Sequence, residues 1–303
     1  KELNDISAPF EEWHLGKRNV DHLDKPPQGV FYNRMSASSH TRGHRYAPEY
    51  TAVVLNWLEK NKRRVINNSR ALSLEISKSL QYKELESCGI KTPKTIYCNN
   101  KESILKSANI FRKPFITKHN RAGKGLGVNL FNNKKELDSY VSSKDFEPSI
   151  DGVTLLQEYI DAKPKIINRV EFVNSKYLYT VEVDASDGFE LCPACPEDQI
   201  DEPQTQFFGE YCPTIGNKFR IIKNYKKTSL IEKYEKFISG NGIEIAGIEY
   251  ITDKNGAIYT YDVNTNTNYN SQAEKNSEIK GMKSIAEFLK KELLQLSNIK
   301  VVA

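Results

Sequence analysis

The residues best suited to chemistry lie near the C-terminus, in two segments that predict a pair of β-strands. Gly247–Thr252 and Ala257–Val263 are rich in β-branched and aromatic residues, and turn-forming residues separate them. Because side chains alternate along a strand, Asp262 and Asn264 point the same way, and Glu249 on the partner strand can reach that face. Two carboxylates and one amide form an all-oxygen set that suits a hard cation such as Mg²⁺.

This polar hairpin has a simpler explanation when it is considered alone. A strand pair with a solvated polar face has the same composition, and short motifs match by chance often enough that the solvated face is the better explanation of the hairpin alone. The metal-site hypothesis therefore depends on what the rest of the chain contains.

A second group of residues joins a cation to a glycine-rich loop. Lys118 ends a predicted strand, and the loop that follows contains Gly123, Gly125 and Gly127 before the next strand begins. Glycines let backbone N–H groups approach a phosphate closely. The loop lies between two strands, which excludes a dinucleotide-binding fingerprint or a Walker loop, since both of these open a helix. An ordinary hairpin with a glycine-rich turn remains an alternative.

Two further segments could contact a ligand. The predicted strand Leu155–Ile160 ends in Gln157, Glu158, Tyr159 and Ile160, where backbone groups could bind an adenine edge and Glu158 a ribose hydroxyl. A strand followed by a turn explains the same residues equally well.

A polar loop near the N-terminus is dense in cations and hydroxyls. It contains Arg34, Arg42 and Arg45, and guanidinium groups suit a carboxylate or a phosphate. A solvated loop is an equal alternative. We predict that Arg34 and Arg42 face the nucleotide cleft, and that a long loop at 185–216 closes over the acceptor.

Composition excludes several classes of protein. The chain has 303 residues, 38% of them hydrophobic and 27% charged, and a net charge of +5. It has no apolar run long enough to span a membrane, and its dispersed basic residues do not favour nucleic-acid binding. Five scattered cysteines argue against a disulfide framework and fit a reducing cytosol. Loop thiols explain the last three better than a zinc site or a redox pair does: Cys192, Cys195 and Cys212.

The chain order predicts a mixed α/β (α+β) protein. A strand, a helix and a strand occupy residues 29–67 and predict a parallel unit. A helix is predicted from about Ala71 to Cys88 with Lys78 inside it, then a hairpin around Asn174 and Ser175. An amphipathic helix is predicted at 278–296. The chain begins without a Met, which suggests a trimmed start or a missing upstream part.

As a set, these features resemble the ATP-grasp superfamily, and within it the RimK-like branch of glutamate and peptide ligases. The resemblance spans about Arg64 to Leu294. The residues and segments that carry it are Val65–Asn67, Lys78, Gly89–Thr95, Lys118 with its glycine loop, Gln157–Ile160, Arg169, Gly247–Glu249 and Asp262–Asn264.

The resemblance implies a role for each matching residue. Lys78 and Lys118 would bind the nucleotide phosphates, and Glu158 would bind ribose beside an adenine-binding hinge at 157–160. Arg169 would stabilise phosphate charge, and Arg220 resembles a second arginine near the transferred phosphoryl group. The implied Mg²⁺ ligands are Glu249, Asp262 and Asn264, with two ions expected and Mn²⁺ able to substitute.

The sequence departs from the family pattern in four places. The branch usually has Asp at the position of Glu249, Glu at that of Asp262 and an acid at that of Asn168. Where the family often continues with a small residue and Pro-Gly, this chain has Thr265–Asn270. The amine-acceptor pocket is therefore expected to differ.

The implied architecture is two α+β subdomains that grip ATP, preceded by a short, truncated α/β portion. We predict boundaries at 1–67 for the N-terminal arm and partial α/β portion and 68–303 for the ATP-grasp domain. Within the latter, a lid would span about 90–160 and a metal-binding subdomain 161–303.

The implied activity is an ATP- and Mg²⁺-dependent ligase. It would join a carboxylate to an amine through an acyl phosphate, acting on an amino acid or a peptide. An ATP-grasp kinase and a non-catalytic nucleotide-binding module are the alternatives. We expect a cytoplasmic protein with no nucleic-acid or membrane partner, and a homo-oligomer is compatible with the sequence.

Overall fold

The computed structural model describes residues 1–112, 114–123, 125–162, 164–186, 219–222, 228–275 and 277–299. Most of the loop predicted at 185–216, with Cys192, Cys195 and Cys212, lies outside these ranges. Within them, no helix is both long enough and apolar enough to cross a membrane.

The N-terminal portion contains a parallel strand pair with a helix between the strands, as the sequence predicts. Its elements are α1 (Glu2–Asp5), β1 (Val30–Tyr32), α2 (Ala47–Lys60) and β2 (Arg64–Ile66). Pro48 lies in the first turn of α2, where its missing N–H costs nothing. Leu55 and Leu58 of α2 are buried against Val65 of β2. This small unit carries the turn of 3₁₀-helix at Ser39–Arg42.

Asn67, directly after β2, connects this unit to the rest of the chain. Its side-chain nitrogen donates to the carbonyls of Ile245 (2.8 Å) and Thr265 (2.7 Å), and its oxygen accepts from the N–H groups of Glu244 (2.8 Å) and Ile245 (3.1 Å). The residue is fully buried and has a φ of 54°. Asparagine tolerates this left-handed conformation better than most residues do.

Two helices follow where one is predicted: α3 (Ser69–Glu75) and α4 (Lys78–Ser87). The prediction of one continuous helix from Ala71 to Cys88 is wrong because Ser77 starts a new helix. Ser77 has extended backbone, and its hydroxyl accepts from the N–H of Leu80 as an N-cap. Lys78 is therefore the first residue of α4 and not an interior residue of one long helix. Its backbone N–H donates to the carbonyl of Asn120.

A four-stranded antiparallel sheet, the lid sheet, has the order β3-β6-β4-β5. Its elements are β3 (Thr95–Cys98), α5 (Lys101–Ser107), β4 (Phe115–His119), β5 (Asn129–Phe131), α6 (Lys134–Ser142) and β6 (Thr154–Glu158). Ile104 of α5 and Leu137 of α6 are buried in one cluster with Phe115 and Leu156. The two helices therefore cover one face of this sheet.

A five-stranded antiparallel sheet, the central sheet, has the order β11-β10-β7-β8-β9. Its strands and the remaining helices are β7 (Ile166–Val173), β8 (Lys176–Asp184), β9 (Phe219–Ile221), α7 (Ser229–Gly240), β10 (Ile245–Thr252), β11 (Ile258–Asn264), α8 (Ser271–Glu274) and α9 (Gly281–Ile299). The closing helix begins three residues later than predicted. Asn174 and Ser175 both have positive φ, which is the backbone of a tight hairpin turn and confirms the predicted hairpin.

The largest apolar core lies between helices α4 and α7 and the central sheet. Tyr82 of α4 and Phe237 of α7 are buried in one cluster with Phe172 and Ile248 of the sheet. Burying each such side chain stabilises the fold by about 1.5–3 kcal/mol. This core fixes the N-terminal end of α4, and hence Lys78, over β11.

Candidate active site

A cavity of about 610 Å³ lies between the lid sheet and the central sheet. Four residues of the N-terminal portion also line it: Ser36, Ala37, Ser38 and Arg42. This volume is within the range of small-molecule sites, which are about 300–1,000 Å³. Three structural regions that are far apart in sequence therefore share one space.

The central sheet brings the predicted metal ligands together. Glu249 of β10 and Asp262 of β11 are directly opposed in the antiparallel register, and a bulge follows Glu249. The side-chain nitrogen of Asn264 donates to Asp262 at 3.3 Å. All three residues line the cavity. The opposed register and the alternation along β11 place these side chains on one face, as the sequence predicts.

The chemistry of these donors fits Mg²⁺. Burial raises the pKa of Glu249; Arg169 lowers it in part and the charge of Asp262 raises it further, leaving a net rise. Two buried carboxylates side by side are an arrangement that a divalent cation stabilises. Among the described residues, no group of three or more His, Cys, Asp or Glu side chains could hold a metal ion. A cation here would therefore need two carboxylates, one amide and oxygens from outside the protein.

Arg169 of β7 is held on the cavity wall by three partners. Its guanidinium donates to Glu171 (2.6 Å), Glu249 (2.8 Å) and the hydroxyl of Thr267 (2.5 Å). A Cβ at Gly247, on the neighbouring strand, would come within 2.6 Å of this guanidinium. Glycine at 247 therefore provides the space that Arg169 occupies. The guanidinium is fixed in position before any ligand is bound.

The two predicted phosphate-binding lysines both line the cavity but have different partners. The Lys78 ammonium lies 2.5 Å from the Asp262 carboxylate. The Lys118 ammonium donates to the carbonyl of Tyr261 at 3.1 Å. Burial lowers the pKa of Lys118, and the nearby carboxylates of Asp262 and Glu249 offset part of that effect. Burial alone would raise the pKa of Asp262, but the charges of Lys78 and Lys118 outweigh that effect and leave the pKa below its ordinary value.

The glycine-rich loop lies between β4 and β5, where the sequence places it. Gly123 and Gly125 line the cavity, and Gly125 has a φ of 74°. Gly127 is not among the lining residues. It has a φ of 75°, and a Cβ there would overlap the ring of His119. Gly127 therefore serves the packing of the loop against β4.

The predicted adenine-binding hinge runs along one side of the cavity, and all four of its residues line it: Gln157, Glu158, Tyr159 and Ile160. Glu158 and Lys94 are joined twice. The N–H of Glu158 donates to the Lys94 carbonyl (2.9 Å), and the N–H of Lys94 donates to the Glu158 carboxylate (2.7 Å). Gln157 is buried and donates to the hydroxyl of Thr95 at 2.8 Å. These contacts hold the end of β6 beside β3.

The predicted substrate arginines have three different positions. Arg42 lines the cavity. Arg34 is not among the lining residues, but it donates to Asn266 and Asn268, which are. Arg45 does not line the cavity and instead donates to the backbone of Ile150 at 2.9 Å. The structure therefore connects two of the three arginines with the cavity.

Arg220, predicted near the transferred phosphoryl group, lies elsewhere. It is on the edge strand β9, where its guanidinium pairs with Glu182 and its side chain is 75% exposed. It is not among the residues that line the cavity. Because β9 pairs with β8, Arg220 lies opposite Glu182 and away from the other predicted residues.

Sequence reasoning missed several polar residues at or beside the cavity, four of which hold other residues of the site in place or extend the row of asparagines. Glu75, Asn266 and Asn268 line the cavity, and Glu171 holds Arg169. The alternation of asparagine and threonine from Asn264 to Asn268 was the available signal for two of them. Glu75 and Glu171 lie in a helix and a strand with no motif around them.

Comparison of the structure with solved structures identifies the fold, whereas comparison of the sequence finds no match. No protein-family model matches this sequence, and no curated protein matches it. Among solved structures, D-cycloserine synthetase DcsG has a TM-score of 0.62 at 14% identity, over 96% of this chain and 92% of that one.

Two further solved structures extend the likeness. A RimK-domain ATP-grasp protein from Sphaerobacter thermophilus has a TM-score of 0.59 at 14% identity, over 91% of this chain and 87% of its own. ATP-grasp ligase PsnB in complex with a minimal precursor has a TM-score of 0.56 at 14% identity, over 87% and 78%. The matches cover most of this chain and confirm the predicted fold: the chain has the ATP-grasp fold.

Proposed function

We propose that this protein is an ATP-dependent ligase that joins a carboxylate to an amine, with Mg²⁺ as its cofactor. The observation that carries the proposal is the convergence of opposite charges in one cavity. Lys78, Lys118 and Arg169 lie beside Glu249 and Asp262, and the 157–160 segment lines the same space. Cations for phosphates and oxygens for a metal ion are the groups that phosphoryl transfer from ATP requires.

The proposed reaction has two steps that need no side-chain nucleophile. A carboxylate oxygen of the substrate attacks the γ-phosphorus of ATP, the bond from that phosphorus to the bridging oxygen breaks, and ADP leaves. An amine nitrogen then attacks the acyl carbon, the carbon–oxygen bond to phosphate breaks, and the nitrogen loses a proton. The protein's part is to position the reactants and to neutralise charge.

Each cation has a distinct part in this proposal. Lys118 reaches the cavity from β4 of the lid sheet and Lys78 from the start of α4, so the two ammonium groups would contact the phosphates from different sides. Arg169, fixed by its three partners, would stabilise charge on the transferred phosphoryl group without moving. Gly123 and Gly125 would let the loop backbone approach the phosphates.

The metal ion is part of the same proposal. Glu249, Asp262 and Asn264 would hold Mg²⁺, and bound Mg²⁺ would supply positive charge beside the phosphates. We propose two ions, with Mn²⁺ able to replace Mg²⁺. The substrates would be amino acids or peptides; PsnB, one of the similar structures, is also seen in complex with the precursor peptide PsnA2.

The test is an assay of phosphate release from Mg·ATP with a panel of amino acids and short peptides, with mass spectrometry of the products. Hydroxylamine would replace the unknown amine, because it traps an acyl phosphate as a hydroxamate. We expect release that needs an acid, a hydroxamate product, and a loss of at least about 10³-fold in Asp262→Ala, as for removal of a main electrostatic contact. Asp145→Asn, at an exposed position on the lid, is the matched control.

Two outcomes would contradict the ligase. A phosphorylated product that is stable to hydroxylamine would indicate a kinase. ATP binding without turnover of any acid in the panel would indicate a nucleotide-binding module.

A further inference from the structure

One part of the cavity wall comes from a segment in which asparagines and threonines alternate. Asn266 and Asn268 line the cavity, whereas Thr265 and Thr267 are buried, with exposed fractions of 2% and 1%. The segment thus continues the alternation of β11 beyond its last residue. Two amide side chains are presented to the cavity, just past the proposed metal ligands.

Buried carboxylates hold the two threonines in place. The N–H and hydroxyl of Thr265 donate to Glu75 at 2.7 and 3.0 Å. The hydroxyl of Thr267 donates to Glu171 at 2.8 Å and accepts from Arg169. Because the threonines are fixed inward, the asparagines between and after them are fixed outward. Such preorganised groups bind a ligand at a low entropic cost.

Arg34 sets the orientation of both amides. It donates to the side-chain oxygen of Asn266 at 3.2 Å and to that of Asn268 at 3.3 Å. Since each amide oxygen accepts from Arg34, each amide nitrogen is left as a donor on the other side of its group. The pair therefore offers N–H groups to a ligand and carries the positive charge of Arg34 behind it.

A second segment of the wall also offers donors, and Glu75 connects the two segments. One Glu75 oxygen accepts from Thr265 and the other from the N–H of Ala37 at 3.2 Å. On either side of Ala37, Ser36 and Ser38 line the cavity, together with Arg42, which donates to Ser38 at 3.3 Å. Both oxygens of Glu75 thus accept from backbone and hydroxyl donors and not from Arg42. The positive charge of Arg42 is therefore available to a ligand.

We propose that this part of the cavity wall binds a second carboxylate of the acid substrate, one that does not react with ATP. The residues that form it are Ser36, Ser38, Arg42, Asn266 and Asn268. The substrate would then be a dicarboxylate, with one carboxylate held here and the other presented towards Lys78 and Asp262. This inference rests on the proposed ligase function and adds the class of acid to it. A bound carboxylate accepts several hydrogen bonds, and a guanidinium is the donor that suits it best.

The experiment uses a chain-length series of dicarboxylates, with and without an α-amino group, each beside its monoamide. Two quantities are measured on the full chain: hydroxamate formation with ATP, and the shift in melting temperature with each compound in the presence of ADP and Mg²⁺. The monoamide keeps one carboxylate for activation and lacks the second charge. We expect the diacids to have the lower KM and to give the larger shift.

Two substitutions locate this preference. Arg42→Gln removes the charge, and Asn266→Asp keeps an oxygen for Arg34 while adding a negative charge. Each is expected to raise the KM of the diacid about tenfold to a hundredfold, as for loss of a hydrogen bond to a charged group, with little change for the monoamide. Arg42→Lys should restore part of the preference. Arg112→Gln and Asn56→Asp, both at exposed positions, are the matched controls.

The inference and the ligase proposal can fail separately. ATP-dependent turnover with equal KM values for diacids and monoamides, or with unchanged ratios in Arg42→Gln and Asn266→Asp, would overturn the inference alone. An Arg42-dependent preference in melting temperature without any turnover would contradict the ligase and leave the carboxylate site supported. No preference in either measurement would overturn the inference.

Discussion

The lid sheet and the central sheet enclose the same cavity, but they hold their polar groups in different ways. The central sheet contributes buried charges that pair with one another, such as Arg169 with Glu171 and Glu249. The lid contributes a glycine-rich loop and the 157–160 strand end, whose contacts are largely to backbone.

The central sheet therefore depends on the pairing of charges, and the lid depends on the conformation of its backbone. On the central sheet, Arg169 depends on two carboxylates of the same sheet, and Asp262 depends on Lys78 of α4, so loss of one side chain leaves another buried without compensation. On the lid, the wall depends on backbone conformations that only some residues adopt. Mutations on the two sides should therefore differ in kind as well as in size.

The largest expected effect comes from Arg169→Met. The change leaves Glu171 and Glu249 buried without their cation, and removing one partner of a buried ion pair costs about 3–5 kcal/mol. The free energy of unfolding, measured by urea denaturation, is the test. Arg112→Met, at an exposed position, should stay within about 0.5 kcal/mol of the wild type. Equal effects of the two changes would contradict the idea that charge balance fixes the central sheet.

A smaller effect is expected on the lid, from Gly127→Ala. The new Cβ would overlap His119 and the backbone would be strained at positive φ, which together should cost about 2–4 kcal/mol. Gly256→Ala is the matched control, since Gly256 has a φ of 82° and open space around it. Its cost should be about 1 kcal/mol, from backbone strain alone. If both variants unfold at the same urea concentration, packing against His119 does not shape the loop.

The smallest effect concerns Glu75, which joins the N-terminal wall of the cavity to the segment after β11. Burial raises its pKa, and its hydrogen bonds from Thr265 and Ala37 oppose burial only in part. A carboxyl with a raised folded-state pKa stabilises the fold below its unfolded pKa, and this contribution is lost as pH rises through the folded-state value.

The contribution of Glu75 to stability should therefore decline from acid towards neutral pH, and Glu75→Gln should remove this contribution. The free energy of unfolding, measured by urea denaturation from about pH 4 to pH 8, gives the slope of stability with pH. This range starts near the ordinary pKa of a glutamate and extends above it. The variant also loses one acceptor, at a cost of about 1 kcal/mol. Glu102→Gln, on the exposed side of α5, should keep the wild-type slope. If Glu75→Gln keeps the wild-type dependence of unfolding free energy on pH, groups other than Glu75 cause that dependence.

Local patterns predicted some parts of the molecule well. The β10–β11 hairpin and the opposition of Glu249 and Asp262 follow from strand alternation and turn chemistry, which act over a few residues. The break before Lys78 was missed because apolar spacing continues through it, whereas the cap at Ser77 is a single hydroxyl.

Contacts between distant parts of the chain could not be predicted in this way. The bonds from Thr265 to Glu75 and from Thr267 to Glu171 span 190 and 96 residues, and no local pattern marks either carboxylate. Arg220 shows the opposite error, because a suitable residue type in a suitable order lies on an edge strand and pairs with Glu182. The order of residues in the resembled family predicted that Arg220 belongs to the site. Whether its side chain reaches the cavity depends on how the strands pair, which the order of residues does not give.

The four hydrogen bonds of Asn67 have a consequence for how the chain is made. Their partners lie 177 to 198 residues further along the sequence. At a synthesis rate of about 5–20 residues per second, the N-terminal unit would wait roughly 10–40 s before these partners leave the ribosome. During that time its buried asparagine and the side chain of Ile66 in β2 would lack their final neighbours. The N-terminal unit, although it is made well before these partners, would thus be among the last parts of the fold to reach its final contacts.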